Sequence, residues 1–456
     1  PSTNGVRDGS FDSISCCVIE SQDTTESLDV AEHVASRMTA KKAGIGILLD
    51  ARSKGDPVRG GMVEHLGKAP LYRSLESAVK KYTQVTRGGS ATNTFKALDP
   101  DIMQMLLWKT QKIDLSQRID KIDYEFAYND AFVDAIIMNE DWYLFSKYWA
   151  PEVHECFHFE TEDYMNVVKR AVQRGVPHTK VKAVDVLMQF LEGRGETGRV
   201  YPHNLTTSNL HTPFLDTIKQ SNLCMEIMLP TEGFTDMMDL YLDSKQKELL
   251  GMPETHGEVA FCSLAALNVS AIEDDEYFEV AERALRTVNQ MIEKAPMMTP
   301  ALREMLLRRR SVGVGIIGLA SKLYMNGLDY NGSEESLEMV SQTSELHMYA
   351  LYKASQKMAE ETGISVEGID EDWLPIDTKK GSRLPYLDWE LLRGIPRMHS
   401  VLVAYMPTES SAPFTGADNG PYPARNRVTY KKARRGKVQF ISQYFDENKL
   451  SAYDVD

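Results

Sequence analysis

The sequence predicts an α/β protein. Three observations carry this: apolar, β-branched runs recur along the chain, segments of helical periodicity separate them, and no internal repeat or low-complexity tract interrupts the alternation. With 42% hydrophobic and 26% charged residues among 456, the chain can bury a large core. A net charge of −15 opposes a surface that coats nucleic acid, so an anionic ligand needs a local cluster of Arg, Lys and backbone amides. The five cysteines, Cys16, Cys17, Cys156, Cys224 and Cys262, contain no Cys-x-x-Cys pair and suit neither a disulfide framework nor a zinc site. No run reaches the roughly 18 apolar residues of a membrane span, and the N-terminal residues lack a signal-peptide pattern. A reducing cytoplasm is the expected location, with no membrane partner.

In chain order, Ile14-Ser-Cys-Cys-Val-Ile-Glu20 predicts a strand. Adjacent side chains face opposite sides, so only one of Cys16 and Cys17 faces any given site. Leu28, Val30, Ala31, Val34, Ala35 and Met38 follow a helical period over 27–40. A glycine-containing strand is predicted over 42–49, a basic loop from Arg52 to Gly61, a second helix over 68–83, and a loop at Arg87-Gly-Gly-Ser-Ala-Thr92. The two Arg/Gly loops read either as anion sites, where glycines admit backbone N–H groups to a phosphate and Arg forks onto it, or as exposed glycine turns. Neither is a P-loop pattern.

Residues 100–200 read as mostly helix and connector, with an amphipathic helix over 180–191. His154 and His158 have the i, i+4 spacing of a metal pair, but no distant ligand matches them and no metal is expected. Residues 206–214 are loop, and a thiol-bearing strand is predicted over 257–268. Gly313-Val-Gly-Ile-Ile-Gly318 spells Gly-x-Gly-x-x-Gly, which in a dinucleotide site follows an apolar strand. Here Arg308-Arg-Arg310-Ser311 precedes it and the glycines lie inside the apolar run, which argues against a nicotinamide nucleotide. Tyr405 to Pro413 predicts a strand end followed by a helix start, with hydroxyls at N-cap positions and N–H groups available to a phosphate.

The reactive stretch is Ser221-Asn-Leu-Cys-Met-Glu-Ile-Met-Leu-Pro230. On an extended backbone Asn222, Cys224 and Glu226 project to one side, an amide, a thiol and a carboxylate together, while Leu223, Met225 and Ile227 turn into packing. Without context a buried structural cysteine explains the same residues.

The context is a set of blocks that resembles the large, catalytic subunit of class I ribonucleotide reductase. They are Gly5-Val-Arg7, Ser15-Cys16, Ala43-Gly-Ile-Gly46, Pro57-Val-Arg-Gly-Gly61, Arg87-Gly-Gly-Ser-Ala91, Val181-Lys-Ala-Val184, Ser221 to Ile227, Phe261-Cys262, Gly313-Val-Gly315 and Met406-Pro-Thr-Glu-Ser-Ser411 with Asn419-Gly420. The resemblance implies a ten-stranded α/β barrel over 1–420. Its specificity-site region falls at about 1–100, and a finger loop at about 221–230 carries Cys224 to the centre. Residues 421–456 are expected to begin a small appended α/β subdomain. The resemblance makes Gly313 to Gly318 a barrel strand.

It implies that Cys224 becomes a thiyl radical and abstracts the ribose 3′-hydrogen, that Glu226 takes the 3′-hydroxyl proton, and that Asn222 holds the sugar. Cys16 and Cys262 are implied to be the reductant pair that ends as a disulfide. Cys16 is preferred to Cys17 because the family's pair member follows a Ser and precedes Ile-Glu, as Ser15-Cys16 precedes Ile19-Glu20. Ser15, Gly44, Glu409, Ser410 and Ser411 are implied to bind the substrate diphosphate, and Asp23, Arg52, Arg59 and Arg87 a deoxynucleotide or ATP effector.

The expected partners are a ribonucleotide, these effectors, a radical-generating small subunit that holds the metal, a thioredoxin- or glutaredoxin-type reductant and a second large subunit. No cofactor is expected on this chain itself, and magnesium only with a bound nucleotide. The family's N-terminal helical region, its last barrel strand with a Tyr-Tyr pair and its cysteine-bearing tail are not found in this sequence, so separate chains are expected to supply them. Two other classes remain as alternatives: an NAD-dependent oxidoreductase resting on Gly313 to Gly318, and a catalytically inactive nucleotide-binding scaffold.

Overall fold

The structure, a computed structural model, describes residues 13–82, 88–159, 163–253, 257–377, 385–433 and 436–455. They form two compact units, Pro1–Phe261 with Ala295–Arg308, and Cys262–Lys294 with Arg309–Asp456.

The first unit is built on five parallel strands. Strand β1 (Cys16–Ser21) is followed by helix α1 (Thr25–Ala40), β2 (Gly44–Leu49), α2 (Ala69–Lys81), β3 (Ala91–Lys96), β4 (Asp123–Tyr128) and, after an excursion, β7 (Val200–Asn204). They pair in the order β1-β2-β3-β4-β7, in registers that set Cys16 opposite Gly44, Gly46 opposite Thr92, Thr94 opposite Glu125 and Glu125 opposite Tyr201. Parallel strands need crossover helices, and α1 supplies the first of them. Thr24 caps it by accepting the Ser27 N–H, and Val30, Ala31, Val34, Ala35 and Met38 are buried along one stripe. Each of Val30, Val34 and Met38 contributes about 1.5–3 kcal/mol by leaving water.

The sheet has two different faces. Its outer side is apolar: Phe95, Tyr124 and Phe126 meet Tyr72 of α2, Trp108 and Phe190 in a connected set of ring contacts. The alternate residues form a polar inner face of Cys16, Glu20, Thr92, Thr94, Lys96, Glu125 and His203, interrupted by Gly44 and Gly46. Polar residues survive there because they are hydrogen-bonded: Cys16, Glu20, Thr92 and Glu125 to a loop that crosses this face, Thr94 and His203 to Glu125, and Lys96 to Asp50.

Residues 100–200 are mostly helix and connector, with a smaller share of strand. Besides β4 they contain an antiparallel hairpin, β5 (Asp141–Phe145) with β6 (His178–Lys182), and helix α3 (Pro151–His158) lies between its strands. The helix predicted from Lys180 is α4 (Ala183–Thr197), because Lys180 to Lys182 pair with Asp141 to Tyr143 in the hairpin.

In the second unit β8 (Ala260–Asn268), whose residues from Cys262 on belong to it, pairs in parallel with β9 (Val312–Ile317). Helices α5 (Tyr277–Lys294) and α6 (Glu334–Thr362) meet through a Tyr277 Oη to His347 Nδ1 hydrogen bond of 2.8 Å, and His347 Nε2 reaches the Val314 carbonyl at 2.8 Å. Gly313 and Gly315 lie inside β9, where a β-carbon would press on Ala404 and Leu264 or on Met406. These glycines admit the passing 401–406 segment, whose carbonyls at Val401 and Leu402 accept the Val312 and Val314 N–H groups. They form no dinucleotide loop, so the NAD reading loses its motif. Residues from 421 on include an antiparallel hairpin, β10 (Val428–Ala433) with β11 (Gly436–Ile441).

Candidate active site

The stretch around Cys224 is a turn, not an extended run, and this corrects the expectation that residues two apart share a side. Ser221 and Met228 form an antiparallel bridge, Met225 takes a positive φ of 65°, and Met225 N donates to Asn222 O at 3.3 Å. Leu223 and Met225 are half-buried, Ile227 is buried and Cys224 is exposed at the tip.

Asn222, fully buried, organises the turn. Its Oδ1 accepts the backbone N–H groups of Glu226 at 3.1 Å and Ile227 at 3.3 Å, while Nδ2 donates to Cys16 Sγ at 3.1 Å. The turn and the residues leading into it are hydrogen-bonded to β1, β3 and β4 and pack closely on β2. Gln220 Nε2 donates to the β1 carbonyl of Ile19 at 2.8 Å, Lys219 Nζ meets Glu20 Oε1 at 2.8 Å, and Thr92 Oγ1 on β3 donates to Leu223 O at 2.7 Å. Ser221 N donates to Glu125 Oε2 on β4 at 3.0 Å. On β2 the absence of side chains is what matters: a β-carbon on Gly46 would stand 2.8 Å from Asn222 Cα, and one on Gly44 would stand 2.5 Å from Leu223 Cδ2. Ser15 precedes β1 and is buried, and its carbonyl accepts the Gly44 N–H at 2.9 Å.

The electrostatics suit proton transfer. Burial raises the Glu226 carboxyl above its ordinary range, against the pull of its hydrogen bond with Asn222, and Glu226 Oε2 is a buried oxygen with no partner. That combination is what a general base near neutral pH needs. Cys17, on the opposite side of β1 from Cys16, is fully buried and its thiol is pushed well up by burial and then by Cys16. Burial raises the Tyr201 phenol on β7, with smaller contributions that include Asp123 and Cys224.

In the second unit, Cys262 is a buried residue of β8. Glu409 accepts from Arg425 Nη2 at 2.7 Å and Asn419 Nδ2 at 3.3 Å, Lys431 Nζ donates to Ser410 Oγ at 2.9 Å, and Ser411 Oγ donates to Thr408 O at 3.4 Å. The helix that starts there, Ser411–Phe414, is a single turn and no side chain caps it; the expected N-cap hydroxyls are engaged elsewhere.

Of the effector residues, Asp23 and Arg52 meet: Asp23 accepts from Arg52 N at 2.9 Å and from its Nε at 3.0 Å, and the guanidinium lies 5.1 Å over the Tyr148 ring. Arg59 is exposed at φ 49°. Arg87 lies outside the described residues, as do Gly5 to Arg7. His154 and His158 are buried, His154 Nε2 reaches Phe145 O at 2.8 Å, and burial followed by Lys96 holds both imidazoles well below their ordinary value. Among the described residues no group of three or more His, Cys, Asp or Glu side chains is placed to hold a metal.

A family model described as "Ribonucleotide reductase, barrel domain" matches residues 14–455. The chain belongs to this family. Its relatives include the ribonucleoside-diphosphate reductase subunit alpha of Haemophilus influenzae, 31% identical over the whole chain and 61% of the relative. The ribonucleoside-diphosphate reductase 1 subunit alpha of Escherichia coli is 31% identical over the whole chain and 60% of the relative, and the ribonucleoside-diphosphate reductase subunit alpha of Enterobacteria phage T4 is 28% identical over the same shares. The chain thus spans about three-fifths of the length of these reductase subunits. The α/β units described above are those of a reductase barrel domain, and no helix among the described residues is long and apolar enough to cross a membrane.

Glu20, Thr92, Glu125, His203 and Gln220 were not predicted as site residues. The period-two positions that Glu20, Thr92, Glu125 and His203 share with Cys16 and Gly44 were a signal, but it becomes readable only once β3, β4 and β7 are recognised as strands, and Gln220, outside any strand, carries no such signal.

Proposed function

We propose that this chain is the catalytic barrel of a ribonucleoside-diphosphate reductase. The observation that carries the proposal is Asn222, whose one amide joins Cys16 on β1 to the backbone of Glu226 in the turn that exposes Cys224. In this reading Cys224, oxidised by one electron with loss of its proton, takes the 3′-hydrogen atom of the ribose. Glu226 accepts the 3′-hydroxyl proton, helped by a carboxyl already raised by burial. The 2′-hydroxyl leaves as water with one proton from the dithiol of Cys16 and Cys262, whose two electrons and second proton go to the 2′-carbon as a disulfide forms. The hydrogen atom then returns from Cys224 to the 3′-carbon and Glu226 returns its proton to the 3′-oxygen, so the radical and the carboxylate are both regenerated.

The oxidant for Cys224 comes from a metal-containing small subunit, and a thioredoxin- or glutaredoxin-type protein reopens the disulfide. Ser15, Gly44, Glu409, Ser410 and Ser411 are proposed to hold the diphosphate. Asp23, Arg52, Arg59 and Arg87 are proposed to hold a deoxynucleotide or ATP effector, with magnesium entering on the nucleotide, and a second large subunit is proposed as a partner.

The test supplies the remaining length of the relatives as added polypeptide, together with a small subunit, reductant and effector. Dithiol-dependent formation of deoxyribonucleotide, lost in Cys224→Ser and in Glu226→Gln, is the expected result. Undiminished turnover in Cys224→Ser would overturn the proposal.

A further inference from the structure

We propose that Glu125 and His203 are positioning residues for the turn that presents Cys224. The inference rests on the reading of that turn as the reactive element, and names what holds it. Glu125 sits at the centre of β4 with no solvent exposure, and three elements converge on its carboxylate. Thr94 Oγ1 on β3 donates to Oε2 at 2.8 Å, Ser221 N donates to the same oxygen at 3.0 Å, and His203 Nδ1 on β7 meets Oε1. The other imidazole nitrogen, Nε2, lies 2.7 Å from Ser208 Oγ, on the helix that follows β7. A continuous line of hydrogen bonds therefore runs from Ser208 through His203 and Glu125 to Ser221, the first residue of the turn. Its next residue is Asn222, which makes the Cys16 contact.

A buried carboxylate is costly, and it is retained only where its hydrogen bonds compensate. On the outer face of the same strands the chain uses Phe95, Tyr124 and Phe126, which stabilise a sheet at no such cost. Glu125 is the residue on β4 that converts the inner face into an anchor. It fixes where Ser221 enters the turn, and His203 fixes the orientation of the carboxylate, as an outer shell of hydrogen bonds orients a reactive group elsewhere. Neither residue touches the substrate in this assignment; both act through Ser221 and Asn222.

The experiment compares Glu125→Ala, Glu125→Gln, His203→Ala and His203→Gln with the parent and with Phe95→Leu, a packing change on the outer face. Two quantities are read: the iodoacetamide alkylation rate of Cys224, followed by peptide mass spectrometry on the folded chain, and kcat and KM in the completed reductase. Because a misplacement of about 1 Å can cost about 100-fold in rate, Glu125→Ala and His203→Ala are expected to lower kcat by about 10-fold or more with KM within about 2-fold. They should also change the Cys224 alkylation rate by about 5-fold. His203→Gln, which keeps an N–H for Glu125, should recover most of the loss. Phe95→Leu should lower the melting temperature and leave the alkylation rate alone. If Glu125→Ala fails to fold, Glu125→Gln and His203→Ala carry the test. Folded variants that alkylate and turn over like the parent would overturn the proposal. Activity retained in Cys224→Ser would instead sink the reading of the turn as reactive, and the alkylation rates would still report on its anchoring.

Discussion

Gly46 and Asn222 are in backbone-to-backbone packing: a β-carbon at position 46 would stand 2.8 Å from Asn222 Cα and press into the Ser221 carbonyl as well. Neither obstacle is a flexible side-chain end, so the turn itself must move. Gly46→Ala is expected to destabilise the first unit by about 1–3 kcal/mol, the usual cost of overpacking, and to reduce turnover further than stability alone explains. Urea unfolding with an activity assay at a temperature where the variant is folded checks both; a variant with normal kcat would show that the turn tolerates displacement.

Asn222→Ala removes the acceptor of two backbone N–H groups and the donor to Cys16. Leaving buried N–H groups unpaired costs about 1–3 kcal/mol, and the expected loss lies in that range. Asn222→Asp keeps the acceptor and should recover the hydrogen bonds to Glu226 N and Ile227 N but not the donation to Cys16 Sγ. Chemical denaturation of the pair separates the two contributions.

The raised carboxyl of Glu226 gives a signed pH dependence. Burial makes the folded chain hold this proton more tightly than the unfolded chain does. The associated stability is therefore fully present below the ordinary glutamate value of about 4.3 and is lost as pH rises through the raised one. Glu226→Gln removes that loss. Melting curves of parent and variant should converge near pH 4 and separate toward pH 8 with the variant higher, and the variant should be inactive throughout. Equal pH profiles would mean the carboxyl is not held above its ordinary range. Glu20, also raised by burial, is common to both chains and cancels.

Lys96 and Asp50 form a buried pair at 2.7 Å, and Lys147 reaches the other Asp50 oxygen. Burial by itself would raise the Asp50 carboxyl, but the two ammonium groups bring it well below its ordinary value. Its contribution to stability is present above the ordinary aspartate value of about 3.9 and is lost as pH falls through the lowered one. Breaking a buried pair costs about 3–5 kcal/mol; Lys147 remains as a partner, so Lys96→Met should sit at the lower end. Asp50→Leu combined with Lys96→Met should recover much of the loss, and a double-mutant cycle measures the coupling.

How much of this was legible in the sequence depended on what each face of a strand must bury. β1, β2, β8 and β9 announce themselves through Val, Ile and Leu. β3 reads Ala-Thr-Asn-Thr-Phe-Lys and is fully buried, because its Thr and Lys side chains answer to the turn and to Asp50; polarity there resembles a loop. β4, Asp-Tyr-Glu-Phe-Ala-Tyr, alternates as a strand should and was passed over among helical neighbours. The triad Asn222, Cys224 and Glu226 stood out for its chemistry, but the extended geometry assumed for it was wrong: a left-handed Met225 is not encoded in any Gly or Asn. The anchors could not be found locally, since a carboxylate on β4 and an imidazole on β7 acquire meaning only when the sheet brings them together.

The polar inner face has a consequence for the order of assembly. The hydrogen bond from Asn222 to Cys16 closes over 206 residues of chain, that from Gln220 to Ile19 over 201, and that from Thr92 to Leu223 over 131. The hairpin of Asp141–Phe145 with His178–Lys182 closes over a far shorter separation. Contacts of long separation form late, because loop entropy is spent before they give anything back. During refolding the short-range hairpin should acquire amide-exchange protection first, and the backbone amides of Ser221, Glu226 and Ile227 should be among the last. The same amides should be the first to exchange when the sheet loosens, so that catalytic competence is gained at the final step of folding and surrendered at the first step of unfolding.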